Sequence, residues 1–81
     1  MLPFKEIFTE GKSVLILGFG IEGRSTFGFL RRHFSGCKIG IADQNTEIAG
    51  EGINMPLHLG KDYLLAINDY DLVIKSPGIS L

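Results

Sequence analysis

The chain has 81 residues, of which 44% are hydrophobic and 21% charged, and its formal net charge is −1. This length allows one domain, and the apolar content is too high for a disordered chain. The near-neutral charge argues against a generic nucleic-acid binder and against a polybasic membrane anchor. The single cysteine, Cys37, excludes an internal disulfide, and with no base beside it we interpret it as a small packing residue rather than a reactive thiol.

The first part of the chain predicts a short helix followed by a buried strand. Pro3 comes early, apolar side chains recur at helical spacing, and Gly11 ends the pattern, as is typical of an amphipathic helix. Charged residues interrupt this stretch, so we expect no signal peptide, and no apolar run is long enough to cross a membrane. We therefore expect a cytoplasmic protein. Ser13–Leu17 is a continuous apolar run, which favours a strand buried on both faces.

The rest of the chain alternates helical and extended patterns. Apolar spacing predicts a helix from Glu22 to about Phe34. The remaining predicted elements, in chain order, are a strand at Lys38–Ala42 ending at Asp43, a loop at Gln44–Asn54, a short strand at Leu57–Leu59, a second helix at Lys61–Asn68 and a last strand at Asp71–Lys75. This order predicts an α/β fold, an open parallel sheet with helices on both faces. The edge left uncovered at Lys75 predicts that residues 1–81 are one domain of a longer protein, truncated at its C-terminal end.

A glycine motif lies between the first strand and the first long helix. It reads Gly18-Phe19-Gly20-Ile21-Glu22-Gly23, and this strand–helix context raises the pattern above chance. The first glycine allows a sharp turn, the second lets a phosphate approach the backbone, and the third lets the helix pack close to the strand. Because a helix start offers free N–H groups and the positive end of its dipole, we expect an anion there, with a diphosphate as the main candidate.

Two further segments are predicted to meet this loop. Asp43 stands at the end of the next strand, where a carboxylate can accept hydrogen bonds from a nucleotide, or can simply cap a loop. Ser76, Pro77 and Gly78 follow the last strand and either border a ligand or only terminate the strand. Ligands of open α/β sheets bind beyond the carboxyl ends of the strands, which favours a shared site.

The other charged residues near the motif have plainer interpretations. Glu22 would repel a diphosphate, so we expect it to face solvent in the first helical turn. Arg24 either reaches the anion or is simply solvated. His33 is expected to cover the end of the helix, and neither it nor His58 has partners at metal-ligand spacing. We see no nucleophile–base pair and no GxxxxGK[ST] phosphate loop, so the chain alone is predicted to be a binding module.

The motifs together resemble the Mur ligase family. The resemblance rests on VLILGFGIEGRST (residues 14–26), IAD (residues 41–43), the Leu59-Gly60 pair and DLVIKSPGIS (residues 71–80), and it covers nearly the whole chain as the family's first domain. It is greatest to the members that add D-glutamate in peptidoglycan synthesis. The glycine motif alone is weak evidence, but its pairing with SPGI at the end of a strand is much more specific.

The resemblance implies a Rossmann-like domain that binds the UDP part of UDP-N-acetylmuramoyl-L-alanine. The loop from Gly18 to Gly23 would approach the diphosphate, Asp43 and Gln44 would hold the uracil, and the turn from Ser76 to Gly78 would border the nucleotide. The whole enzyme would use ATP and Mg²⁺ to join D-glutamate through an acyl phosphate, on domains outside these 81 residues. The chain alone would be inactive and would need no cofactor.

Three alternatives stay open. A dinucleotide-binding domain of an NAD-dependent oxidoreductase, or an NAD-sensing regulator, would also use the glycine motif and Asp43. It would give no particular role to Ser76, Pro77 and Gly78. Another member of the ligase family is the second alternative. A structural module that binds nothing is the third.

Overall fold

A computed structural model describes residues 12–34 and 36–76. The helix predicted before Gly11 lies outside the described residues, as do Pro77 and Gly78. Among the described residues, no helix is both long and apolar enough to cross a membrane.

The centre of the fold is a four-stranded sheet in which every pair of neighbouring strands is parallel. Its order is β3-β2-β1-β4. The strands are β1 (Ser13–Leu17), β2 (Lys38–Asp43), β3 (Leu57–Leu59) and β4 (Leu72–Lys75). All four were predicted, and β4 begins one residue later than expected. Asp71 instead uses its carboxylate to accept hydrogen bonds from the main-chain N–H and the hydroxyl of Ser13.

One α-helix and two 3-10 helices connect the strands. The α-helix, α1, spans Ile21–His33, close to its prediction. The first 3-10 helix, Thr46–Glu51, lies where we expected only loop, so that expectation is wrong. It forms because the side chain of Asn45 accepts a hydrogen bond from the N–H of Glu47, and because Ile48 is buried in the core. The second, Tyr63–Asp69, replaces the predicted second helix with tighter winding.

The sheet packs on both faces, which explains why β1 shows no alternation of apolar and polar residues. Val14 and Ile16 face a cluster that includes Leu30 of α1. Leu15 and Leu17 face the second 3-10 helix on the other side. All four side chains are fully buried. The prediction of an open parallel α/β sheet with helices on both faces is therefore confirmed.

The face that carries the second 3-10 helix also explains Gly40 in β2. A side chain there would overlap the ring and hydroxyl of Tyr70, which lies just before β4. The Tyr70 hydroxyl is 2.8 Å from Nε2 of His58, and the two rings meet edge to face. Burial is the main cause that raises the pKa of Tyr70 above its usual value, and the nearby negative charge of Asp69 adds to it. Tyr70 therefore fills the space that Gly40 leaves.

Candidate functional site

The carboxyl ends of three neighbouring strands form one edge of the sheet. Leu17, the last residue of β1, is in register with Ala42 of β2 and with Lys75 of β4. The chain leaves β1 toward β2, whereas β4 pairs on the other side of β1. Such a reversal of strand order opens a crevice beyond the carboxyl ends, and open α/β sheets bind ligands there. The segments that we predicted to converge follow these strand ends.

The outer glycines of the motif have the roles that we predicted. Gly18 has a φ of 95°, a left-handed conformation that favours glycine and turns the chain out of β1. A side chain at Gly23 would overlap the carbonyl oxygen of Gly18, so only glycine allows α1 to begin this close to the loop. The N–H of Gly18 donates to the carbonyl of Ala42 at 2.7 Å, which anchors the turn to β2.

Gly20 differs from both of these glycines. Its φ is −79°, which any residue adopts, and a side chain added to it would meet no atom of residues 12–34 and 36–76 within 4 Å. It stands at the N-cap of α1 and supplies no side-chain hydrogen bond to the helix. Serine, aspartate and asparagine are the most favoured residues at this position, because their side chains cap the first-turn amides, and glycine is accepted there about as well as threonine. Gly20 leaves the space in front of those amides open.

The first turn of α1 faces this open space. The N–H groups of Ile21, Glu22 and Gly23 have no partner within the helix, since the first helical bond runs from the N–H of Arg24 to the carbonyl of Gly20 at 2.9 Å. Ile21 is 89% exposed. Glu22 is also exposed, as predicted. The arrangement leaves three N–H donors without a partner inside the helix at the start of α1.

Asp43 is directed into the site but already has main-chain partners. One of its carboxylate oxygens accepts from the N–H of Phe19 at 2.7 Å, and the other accepts from the N–H of Asn45 at 2.8 Å. Asp43 therefore holds the glycine loop against the loop that follows β2. Each oxygen keeps further acceptor capacity toward a ligand. Gln44, its predicted companion, is exposed beside it.

Ser76 fixes the glycine loop from the opposite side. Its N–H donates to the carbonyl of Leu17 at 2.9 Å, and its hydroxyl donates to the carbonyl of Gly18 at 3.0 Å. The glycine loop is thus attached to both strands that flank β1, through Asp43 on one side and Ser76 on the other. This convergence was predicted. Pro77 and Gly78, the rest of the predicted turn, lie outside the described residues.

Arg24 forms the wall of the site together with Phe19 of the glycine motif and with Glu51, which we did not single out. Its two terminal nitrogens each lie 2.6 Å from an oxygen of Glu51, at the end of the first 3-10 helix. Its guanidinium also lies over the ring of Phe19, 4.6 Å from the centroid. The Phe19 ring is itself buried and packs edge to face on Phe27. Arg24 therefore joins the glycine loop to the segment after β2.

The electrostatics of this wall follow from the ion pair. The hydrogen bond with Glu51 is the main cause that raises the pKa of Arg24, and the negative charges of Glu51 and Asp43 add to it. The same hydrogen bond lowers the pKa of Glu51. Nothing in the sequence indicates the pair, because its members are 27 residues apart and Glu51 lies in a segment that we predicted to be a loop.

The remaining candidate residues stay away from this edge. His33 lies in the last turn of α1, is exposed, and packs its ring on Phe29. Burial raises the pKa of the Cys37 thiol, which disfavours the reactive thiolate and agrees with a packing role. Within residues 12–34 and 36–76, no three histidine, cysteine, aspartate or glutamate side chains are grouped so that they could hold a metal ion.

Comparisons with protein-family models, with curated proteins and with solved structures give no match for this chain.

Proposed function

We propose that the chain binds the UDP moiety of UDP-N-acetylmuramoyl-L-alanine, as the first domain of a cytoplasmic, ATP-dependent ligase that adds D-glutamate in peptidoglycan synthesis. In the whole enzyme, ATP and Mg²⁺ would act on other domains, so the 81 residues alone would have no ligase activity. The proposal rests on the geometry of the site and on the motif resemblance described above.

The observation that carries the proposal is the uncapped start of α1 at Gly20. Neither the backbone conformation nor the packing of the described residues requires glycine at this position. A ligand does require it, because a diphosphate must approach the N–H groups of Ile21, Glu22 and Gly23 closely. The crevice between the carboxyl ends of the strands provides the approach.

The direction of Asp43 favours a uridine nucleotide over a dinucleotide. In dinucleotide-binding domains, the acidic residue after the second strand hydrogen-bonds the ribose hydroxyls. Here both carboxylate oxygens accept from main-chain N–H groups next to the glycine loop. A base that lies beside this carboxylate can use its remaining acceptor capacity through an N–H of its own, as uracil has.

Isothermal titration with UDP-N-acetylmuramoyl-L-alanine, UDP and NAD tests the proposal on the full chain. We expect the two uridine ligands to bind and NAD to bind at least about tenfold more weakly, a difference of about 1.4 kcal/mol. Tight NAD binding without binding of either uridine ligand would contradict the proposal and favour the oxidoreductase alternative. Binding of none of the three would favour a purely structural module.

A separate assay addresses the predicted lack of activity. The chain would be incubated with ATP, Mg²⁺, D-glutamate and UDP-N-acetylmuramoyl-L-alanine, and phosphate release would be measured. We expect no release above the background of ATP alone. Release that depends on D-glutamate would show that the chain holds a complete catalytic site.

A further inference from the structure

The guanidinium of Arg24 is fixed in one plane by two neighbours. Glu51 holds both terminal nitrogens in a bidentate pair, with both distances at 2.6 Å. Phe19 supports one face of the group from below, at 4.6 Å. The ring of Phe19 is in turn held by its burial and by its edge-to-face contact with Phe27 at 5.7 Å. A side chain that usually has many rotamers is thereby pre-organised.

Among the described residues, no second aromatic ring contacts the other face of the guanidinium. The side chain of Arg24 is 47% exposed although it is paired and stacked. It belongs to the turn of α1 that begins at Gly20, and it is close enough to Asp43 to feel the charge of that carboxylate. The open face therefore lies beside the crevice that contains the uncapped amides.

We propose that Arg24 is the stacking platform for the pyrimidine base of the bound nucleotide, which would rest on the guanidinium face opposite Phe19. This inference rests on the proposed function, since it assigns a residue to the base within the same site. A planar guanidinium stacks on aromatic rings, and bases also stack well on such groups in proteins that bind single-stranded nucleic acids.

The ion pair decides between this role and a direct contact with phosphate. The two terminal nitrogens that would grip a phosphate are already occupied by the Glu51 carboxylate. The pair also leaves the face of the group free while it neutralises its charge. Arg24 is thus better suited to contact a flat, uncharged base than an anion, and the amides of the helix start remain for the diphosphate.

The test compares three ligands on four proteins. Uridine carries the base without phosphate, pyrophosphate carries the anion without the base, and UDP carries both. The proteins are the wild type, Arg24→Lys, Glu51→Gln and, as a matched control, Arg32→Lys on the exposed last turn of the same helix. Lysine keeps the charge but not the plane, so Arg24→Lys separates stacking from simple charge.

We expect Arg24→Lys to weaken the binding of uridine and of UDP by about fivefold and to leave the affinity for pyrophosphate unchanged. Glu51→Gln should weaken the same two ligands by a smaller factor, because it releases the guanidinium from its plane. Arg32→Lys should change none of the three. In the wild type, uridine should also move the NMR signal of the Arg24 Nε–H group upfield through the ring current of the base, whereas pyrophosphate should not.

The outcomes separate this inference from the proposed function. If the wild type binds UDP and Arg24→Lys leaves uridine and UDP affinity unchanged, the stacking role is wrong and the proposed function stands. Pyrophosphate binding that weakens in Arg24→Lys, or strengthens in Glu51→Gln, would make Arg24 a phosphate contact and would also overturn the stacking role. A wild type that binds neither uridine nor UDP would overturn both.

Discussion

Gly40 in β2 and Gly20 at the start of α1 stand in opposite surroundings. At Gly40 the protein itself fills the space of the missing side chain, with a tyrosine ring that hydrogen-bonds His58. At Gly20 no described residue fills it, and the neighbouring first-turn amides have no partner within the helix. The first glycine serves packing, whereas neither a packing contact with the described residues nor a positive φ requires the second. Open space alone does not mark a site, because an added side chain at the half-buried Gly28 of α1 would also meet no described residue within 4 Å. The unpaired donors and the attached strand ends at Gly20 make the difference.

If this contrast is correct, a side chain should destabilise the protein wherever other groups of the protein already occupy the space beside a glycine. The largest loss of stability is expected for Gly23→Ala, because the new side chain overlaps a carbonyl of the backbone, which cannot rotate away. We expect a loss of about 3 kcal/mol in the free energy of unfolding. Urea denaturation measures it. The matched control is Gly28→Ala in the same helix, which should gain up to about 1 kcal/mol. Equal stability of the two variants would refute the close approach at Gly23.

The next largest effect is expected for Gly40→Ala. Here the overlap is with a side chain, so Tyr70 can shift at the expense of its contact with His58. We expect a loss of about 2 kcal/mol, within the usual range for overpacking. Gly50→Ala, a position where an added side chain meets nothing within 4 Å, is the control in the same denaturation assay. A Gly40→Ala protein as stable as this control would mean that Tyr70 does not occupy the space.

Asp43→Asn should have a smaller effect on stability, and it should loosen the attachment of the glycine loop to the segment after β2. An amide has one acceptor oxygen, so it can keep only one of the bonds to the N–H groups of Phe19 and Asn45. We expect a loss of about 1.5 kcal/mol, typical of a hydrogen bond to a charged group, together with weaker UDP binding. Asp62→Asn serves as control, because Asp62 is exposed and makes no side-chain cap. Unchanged stability and UDP affinity in Asp43→Asn would remove this residue from the site.

The pair of Arg24 and Glu51 predicts a small dependence of stability on pH. Its hydrogen bond lowers the pKa of Glu51 from the usual value near 4.5. A lowered pKa in the folded state gives stability that is present above the unfolded value and lost as pH falls through the folded one. The urea midpoint of unfolding should therefore fall less between pH 6 and pH 3 in Glu51→Gln than in the wild type. Identical falls in both proteins would show that the pair contributes nothing to stability in solution.

The smallest effect on stability, and a large one on binding, is expected for Gly20→Ser. Serine can cap α1 from this position, so the free energy of unfolding should stay the same or rise by a few tenths of a kcal/mol. The same hydroxyl would accept a hydrogen bond from a first-turn N–H group and would narrow the space in front of the others. We expect UDP to bind at least about tenfold more weakly, as calorimetry can measure. If UDP binding is unchanged, the contrast between the two glycines has no functional meaning.

The sequence predicts the centre of the sheet well because β1 and β2 are buried on both faces. The continuous apolar run of β1 admits few other structures, and the motif Gly18 to Gly23 marks the turn into α1. The prediction failed at Thr46–Glu51, where one side-chain cap and one buried isoleucine create a 3-10 helix in a polar segment. One capping side chain and one buried apolar side chain do not produce a periodic pattern that predicts a helix from sequence.

The residues that meet at the site were predicted, but their partners were not. Proximity of Asp43 and Ser76 to the glycine loop follows from parallel strands in one sheet. That Asp43 binds the N–H of Phe19, or that Glu51 pairs with Arg24, depends on the path of the loops. Loop paths are set by tertiary contacts between distant positions, so local patterns do not reveal them.

The most direct test of the central claim is an NMR titration of the ¹⁵N-labelled chain with UDP. We predict that the largest amide shifts occur at Gly20–Gly23, at Asp43–Asn45 and at Ser76. His58 and Tyr70, on the face filled by the protein itself, should stay unchanged and serve as the internal reference. Two results would contradict the claim that the open start of α1 binds the diphosphate of a nucleotide. One is amide shifts confined to His58 and Tyr70, and the other is no amide shift anywhere in the chain at saturating UDP.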